Sequence, residues 1–164
     1  MTGPDDDLAP ASLAPALARG IIRTFHDLGY ASLTEFTLRS GRRVDVIAVD
    51  PAGTIVIIEI KSSIEDFRAD RKWHEYLEFC DHFFFAVPED FPREILPDDC
   101  GLLVADPYGA AVLREAPLVK LNASRRRAQI LRFAQTAAQR LARFTDPDGS
   151  GRPRQGTNAG TRPW

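Results

Sequence analysis

The run Arg43-Val44-Asp45-Val46-Ile47-Ala48-Val49, the turn Asp50-Pro51-Ala52-Gly53 and the run Thr54-Ile55-Val56-Ile57-Ile58-Glu59-Ile60-Lys61 decide how this chain is read. Both runs are rich in β-branched residues and bounded by turn formers, so Arg43 to Val49 and Thr54 to Ile60 are predicted strands. The second is apolar at Ile55, Val56, Ile57 and Ile58 in succession. Successive strand residues point to opposite faces, so this strand is central and covered on both sides. Helices are therefore expected on both faces of the sheet. Pro51-Ala52-Gly53, with Gly53 in the left-handed position, is a three-residue hairpin connection. It pairs Asp50 with Thr54, Ala48 with Val56, and Asp45 with Glu59.

Three charged residues interrupt these strands. Asp45 stands between Val44 and Val46, and Glu59 and Lys61, two apart, project from one face. Opposed residues on a sheet have Cβ atoms roughly 5 Å apart. Two carboxylates at that distance repel, which is costly on a central strand unless a cation offsets the charge. Mg²⁺ or Mn²⁺ suits hard oxygen ligands, and Mg²⁺ commonly takes one or two carboxylates while keeping several waters. The backbone carbonyl of Ile60 is a further candidate ligand. Lys61 would then meet the attacking water or the phosphate as charge develops. Polarising a phosphoryl oxygen, generating hydroxide and aligning the groups is the work of such a site in phosphodiester hydrolysis. Glu-x-Lys alone is common, and a structural salt bridge of Lys61 with Asp45 or Glu59 is the bland alternative. Asp45 opposite, two apolar strands and a capped helix after Lys61 favour the catalytic reading.

Upstream, Ser12 to Leu28 sets Leu13, Leu17, Ile21, Phe25 and Leu28 at helical spacing, with Ser12 as N-cap and Gly29 as stop. Tyr30 to Leu38 is predicted as a strand. Downstream, Ser62 and Glu65 form an S-x-x-E capping box that starts a helix running towards Cys80. Phe83 to Val87 is a buried strand closed by Pro88, and Glu89 to Cys100 is loop or a short helical turn. Gly101 to Ala105 and Ala110 to Leu113 pair around the turn Asp106-Pro107-Tyr108-Gly109. A last helix, from about Ser124 to Phe144, carries Ile130, Phe133, Ala137, Leu141 and Phe144 on one stripe. From Thr145 the composition turns to Gly, Pro, Arg, Thr and Asn without periodicity. The expected organisation is a flexible N-terminus at 1–11, one α/β domain at 12–144 with a mixed central sheet flanked by helices on both faces, and a disordered tail at 145–164.

The residues at the hairpin resemble the PD-(D/E)XK nuclease superfamily, with Asp45 in Arg43-Val44-Asp45 and the E-x-K in Ile58-Glu59-Ile60-Lys61. More narrowly, Arg43 to Ala48, the run Glu59-Ile60-Lys61-Ser62-Ser63-Ile64-Glu65-Asp66-Phe67-Arg68-Ala69-Asp70-Arg71-Lys72-Trp73, then Tyr76, Cys80-Asp81, Phe85 to Pro88 and Gly101 to Asp106 are similar to the MmcB family. The resemblance spans about residues 12 to 144. It implies a DNA repair protein of the restriction-endonuclease-like fold, with DNA and other repair proteins as partners. PD-(D/E)XK sites often carry a further acid on the first helix; here that helix offers only Asp27 near its end, while Glu35 sits on the first strand. Lys72 and Tyr76, four apart on the helix after the site, resemble a Gln-x-x-x-Tyr element that some of these nucleases place beside the active site. Glu35, Lys72 and Tyr76 are thus candidate supporting residues. Asp66 and Asp70 share the same spacing and are expected to complement the helix N-terminus; Phe67 and Trp73 are expected in the core.

With 164 residues, 44% hydrophobic and 27% charged, the chain has the make-up of one ordinary globular domain. No apolar run approaches the roughly 20 residues of a membrane helix. The opening Met1-Thr2-Gly3-Pro4, followed by Asp5, Asp6 and Asp7, lacks the parts of a signal peptide, so a cytoplasmic protein is expected. Two cysteines, Cys80 and Cys100, make no disulfide framework. His26, His74 and His82 lack metal-ligand spacing, and no Gly-rich phosphate loop or serine elbow is present. The net charge of −2 conceals an asymmetry: from Ala116 to Phe144 the charged residues are Lys120, Arg125, Arg126, Arg127, Arg132, Arg140 and Arg143, all basic. Counted at about 100° per residue, Arg125, Arg132 and Arg143 fall opposite the apolar stripe. They would form a ridge for backbone phosphates without base reading; a solvated helix face is the bland alternative. Two functions therefore compete. One is a metal-dependent, endonuclease-like hydrolysis of DNA, lost in Asp45→Ala. The other is a non-catalytic DNA-binding or protein-interaction module that retains the nuclease fold.

Overall fold

The computed structural model describes residues 10–149, with side chains from Leu13 onward. Helix α1 (Pro10–Asp27) leads into an antiparallel meander of β1 (Ala31–Thr37), β2 (Arg43–Val49) and β3 (Ile55–Ile60). A short α2 (Ile64–Ala69) and a 3₁₀ stretch Trp73–Phe79 cross over to β4 (His82–Val87), which lies parallel to β3. β5 (Gly101–Ala105) lies parallel to β4, β6 (Ala110–Arg114) closes the sheet antiparallel, and α3 (Ala123–Thr145) follows. The result is a six-stranded mixed sheet with its strands in chain order. Every residue of β3 is buried, as its unbroken apolar run predicts. Leu17, Ile21 and Phe25 of α1 cover one face, against Val46, Ala48, Val56 and Ile58. On the other face Trp73 and Tyr76 pack with Ile47, Ile57, Phe83 and Phe85, while Phe67 of α2 and Ile130 and Phe133 of α3 lean on that core. Because α1 starts at Pro10, Ser12 lies within its first turn rather than at its cap. Of the terminal segments expected at 1–11 and 145–164, residues 1–9 and 150–164 lie outside the described residues.

The counted hairpin is observed from its turn as far as Val46–Ile58, but the counted pair Asp45–Glu59 is not part of the ladder. The Asp50 N–H donates to the Thr54 carbonyl at 3.1 Å and the Gly53 N–H to the Asp50 carbonyl at 3.0 Å, with Gly53 at φ 83°. The register runs from Val49–Ile55 through Ala48–Val56 to Val46–Ile58.

The two later helices also depart from their expected course. The helix after Lys61 does not run to Cys80. Its N-cap is Ser63, whose hydroxyl accepts from the Asp66 N–H at 3.1 Å, while Asp66 itself accepts from the Ser62 N–H. It stops after Ala69 because the Asp70 carboxylate turns back to Lys61 and to the Lys72 N–H. In α3, the expected stripe holds for Ile130, Phe133 and Ala137, but Leu141 and Phe144 are 63% and 84% exposed. The face turned inward also carries Arg126, Gln129 and Arg140, because acceptors in the body draw their side chains in. Chief among these acceptors is Asp81, only 2% exposed. Its carboxylate receives both Arg126 amino groups at 2.7 Å, the Ile55 N–H at 2.8 Å and the Leu121 N–H at 2.9 Å. One carboxylate thereby ties the start of β3 to the approach and first turn of α3.

Candidate active site

At the far end of the hairpin the β2–β3 ladder stops after Val46–Ile58, and side chains take over. Asp45 Oδ2 accepts from the Ile60 N–H at 2.7 Å, and Glu59 Oε1 accepts from the Asp45 N–H at 3.3 Å. Each carboxylate is thus oriented by the backbone of the opposite strand. The local backbone explains why the ladder breaks there. Val44 and Ile47 both enter the core facing α3, although residues three apart on a regular strand point to opposite faces. The alternation therefore slips at Asp45. β1 slips beside it, where Glu35, between the pairs Thr34–Val46 and Phe36–Val44, has φ 49°, in the left-handed region that non-glycine residues rarely adopt. Arg140 of α3 holds this kink, donating to the Thr34 carbonyl at 2.6 Å and the Glu35 carbonyl at 2.8 Å. The slip turns Asp45 towards α1, where it lines a cleft with Ile60 and Glu35.

Glu59 and Lys61 are each only 4% exposed. Lys61 Nζ lies 2.7 Å from Asp70 Oδ2 and 3.7 Å from Glu59 Oε2. Burial, then the charge of Asp45, pushes the Glu59 carboxyl up to about 8. Burial also raises Asp45, against the opposing pull of the Ile60 N–H and Lys61. Burial pulls the Lys61 ammonium down, but the Asp70 hydrogen bond and the charge of Glu59 more than reverse this and hold it above the usual lysine value. The corner therefore has more negative charge than it can keep ionised, with one well-held cation beside it.

The other sequence candidates divide. Glu35 adds its charge to that around Asp45 and pairs with Arg43 at 2.7 Å. Tyr76 is buried, and its phenol is raised to about 12 by burial and then by Glu59, so it stands close to the corner. Lys72 does not join it: the helix that would have aligned the two breaks at Asp70, leaving Lys72 exposed ahead of the 3₁₀ stretch. The ridge counted on α3 is also altered. Arg125 lies 3.6 Å from the Glu78 carboxylate and Arg132 donates to the Thr37 carbonyl at 2.7 Å, so both reach towards the body, while Arg143 is exposed in the last turn. Among the described residues no group of three His, Cys, Asp or Glu side chains is arranged to hold a metal ion. The Asp45 and Glu59 carboxylates, with the Ile60 carbonyl as a candidate further ligand, would stay within the one or two carboxylates that Mg²⁺ commonly takes. Sequence reasoning missed Asp70 as the anchor of Lys61 and Arg140 as the clamp on Glu35. The Asp66–Asp70 spacing was visible, but not that Asp70 turns away from its own helix.

Comparison with known proteins adds the following. A family model described as DNA repair protein MmcB-like matches residues 3–148. A solved structure, the SPO1766 protein of unknown function from Silicibacter pomeroyi, is 46% identical and superposes with a TM-score of 0.80, covering 92% of this chain and 99% of that one. No curated protein matches. Among the described residues, no helix is long and apolar enough to cross a membrane.

Proposed function

The chain belongs to the MmcB-like family of DNA repair proteins, and from that premise we propose that it hydrolyses phosphodiester bonds in DNA with a divalent cation, Mg²⁺ or Mn²⁺, held by Asp45, Glu59 and the Ile60 carbonyl. The observation that carries this reading is the meeting of a buried acid, Glu59, with a half-buried one, Asp45, from adjoining strands, with Glu59 raised to about 8 by burial and by Asp45. Such a pair is stabilised as dianion only by added positive charge. A bound hard cation would polarise a phosphoryl oxygen and make water a nucleophile near neutral pH.

The protein's own groups supply the rest. The Ile60 and Asp45 amides orient the two carboxylates. Asp70 fixes Lys61 so that its ammonium stands 3.7 Å from Glu59, where it meets negative charge growing on the phosphate. Tyr76 closes the corner from the core side, and Arg143, with the outer parts of Arg125 and Arg132, would take backbone phosphates. The mixed six-stranded sheet would suit a restriction-endonuclease-like arrangement, and that arrangement with the E-x-K pattern would fit this chemistry.

Asp45→Asn removes one carboxylate charge with little change in shape. Its expected effect is a loss of about 100-fold or more in Mg²⁺- or Mn²⁺-dependent cleavage, assayed on single-stranded, nicked, flapped and duplex DNA. Absence of cleavage by the wild-type protein on all of these with both metals overturns the proposal. One observation favours a second reading: the α1 residues facing Asp45 are Ala14, Pro15, Ala18, Arg19 and Ile22, with no acid among them. A family member that binds DNA without cutting it would show salt-sensitive binding, unchanged in Asp45→Asn, and no turnover.

A further inference from the structure

The slip at Asp45 opens a cleft of about 380 Å³ between α1 and the ends of the first three strands. Small-ligand sites begin at about 300 Å³, so the space suits one nucleotide and is far too small for a paired duplex. Ala14, Pro15, Ala18 and Ile22 give it an apolar wall along the helix. Asp45 and Ile60, two of the groups proposed to hold the cation, lie on its opposite side. Arg19 lines the same cleft, is exposed, and makes no hydrogen bond or ion pair among the described residues. The arginines that reach the Thr34–Glu35 segment differ: Arg43 is paired with Glu35, and Arg140 is bound to the Thr34 and Glu35 carbonyls. An unneutralised guanidinium, an apolar wall and the Asp45 side of the acid corner in one cleft match the three parts of a nucleotide in a strand: phosphate, base, and the neighbouring bond to be cut.

We propose that this cleft receives a single unpaired nucleotide of a DNA strand, its base against the α1 wall and its phosphate on Arg19. The inference rests on the hydrolytic reading of Asp45 and Glu59 and narrows the substrate to DNA with an unpaired segment. Extruding a base from a duplex requires unstacking, so a strand already unpaired enters most easily.

Binding is measured by fluorescence anisotropy in chelator, with a short oligothymidylate and a blunt duplex as probes. The wild-type protein is expected to prefer the single strand by about tenfold, and Arg19→Ala to lose about tenfold of that affinity, as for a charge-assisted hydrogen bond. Ala14→Phe, which fills the cleft, should lose as much. Arg19 is exposed, so its variant keeps the test valid if the filled cleft disturbs folding. Equal binding by the Arg19 variant and the wild type, or equal affinity for duplex, overturns the inference. So does competition by free thymidine monophosphate as effective as by the oligonucleotide, because the site would then serve a mononucleotide. Asp45→Asn should keep oligonucleotide binding while losing Mn²⁺-dependent cleavage. Arg19-dependent binding with no wild-type cleavage would sink the hydrolytic reading and leave the cleft standing; cleavage without Arg19-dependent binding would do the reverse.

Discussion

Burial and the neighbouring charge of Asp45 lift the Glu59 carboxyl from its usual 4.5 to about 8. The folded protein then keeps a proton that the unfolded chain has released. In chelator, stability is expected to fall as the pH rises from about 5 to about 8 and to level off above that, because the native state binds more protons across that interval. Urea midpoints at a series of pH values check this, and Glu59→Gln should lack the slope while gaining stability at the alkaline end. A cation competes with the same proton, so Mn²⁺ affinity should climb through the same range. Asp45, Glu59 and Lys61 could be singled out in the sequence because each interrupts an apolar strand, but the side to which Asp45 turns could not, because the two-residue alternation slips there. Asp70 was not. It lies nine residues beyond Lys61, on a helix whose premature end nothing in the local pattern announces.

Helix α1 illustrates how an element can be read correctly in its core, though Leu28 beyond its end is 60% exposed, and still conceal a close contact. Its apolar spacing gives the buried stripe of Leu17, Ile21 and Phe25. Gly20 within it looks like a weak point in a helix. In the fold it lies against the turn between β5 and β6, where an added Cβ would overlap the Asp106 carbonyl and come within 2.8 and 2.9 Å of Gly109 backbone atoms. Gly20→Ala should therefore destabilise by about 1–3 kcal/mol despite its better helix propensity, seen as a fall of several degrees in Tm. A stabilised protein would mean that helix and turn are less closely packed than described. The β2–β3 hairpin was fully countable, because turn length and Gly53 set the register locally. The slip at Glu35 and Asp45 was not, because it is held by Arg140, 105 residues away from Glu35 along the chain.

Across the whole molecule, Asp81 joins the two halves of the chain. Its carboxylate binds backbone at Ile55 and Leu121 and both amino groups of Arg126. Asp81→Ala leaves two buried backbone donors without their acceptor and a half-buried guanidinium without its anion, so a loss of about 2–4 kcal/mol is expected in chemical denaturation. A loss within experimental error would show that α3 is anchored by apolar contacts alone. The basic run on α3, read as an outward ridge, is partly inward for this reason: carboxylate and carbonyl acceptors at Asp81, Thr37, Thr34 and Glu35 draw its arginines to the body. The amino-acid order alone was enough for the strands, the hairpin register as far as Val46–Ile58 and the covered central strand, because turn geometry and side-chain period act over a few residues. Folding in three dimensions was needed to set the exposure of Lys72, the anchoring of Lys61, the bend at Glu35 and the cleft beside Arg19. Each of these depends on which distant donor or acceptor a side chain reaches, and no local pattern carries that choice.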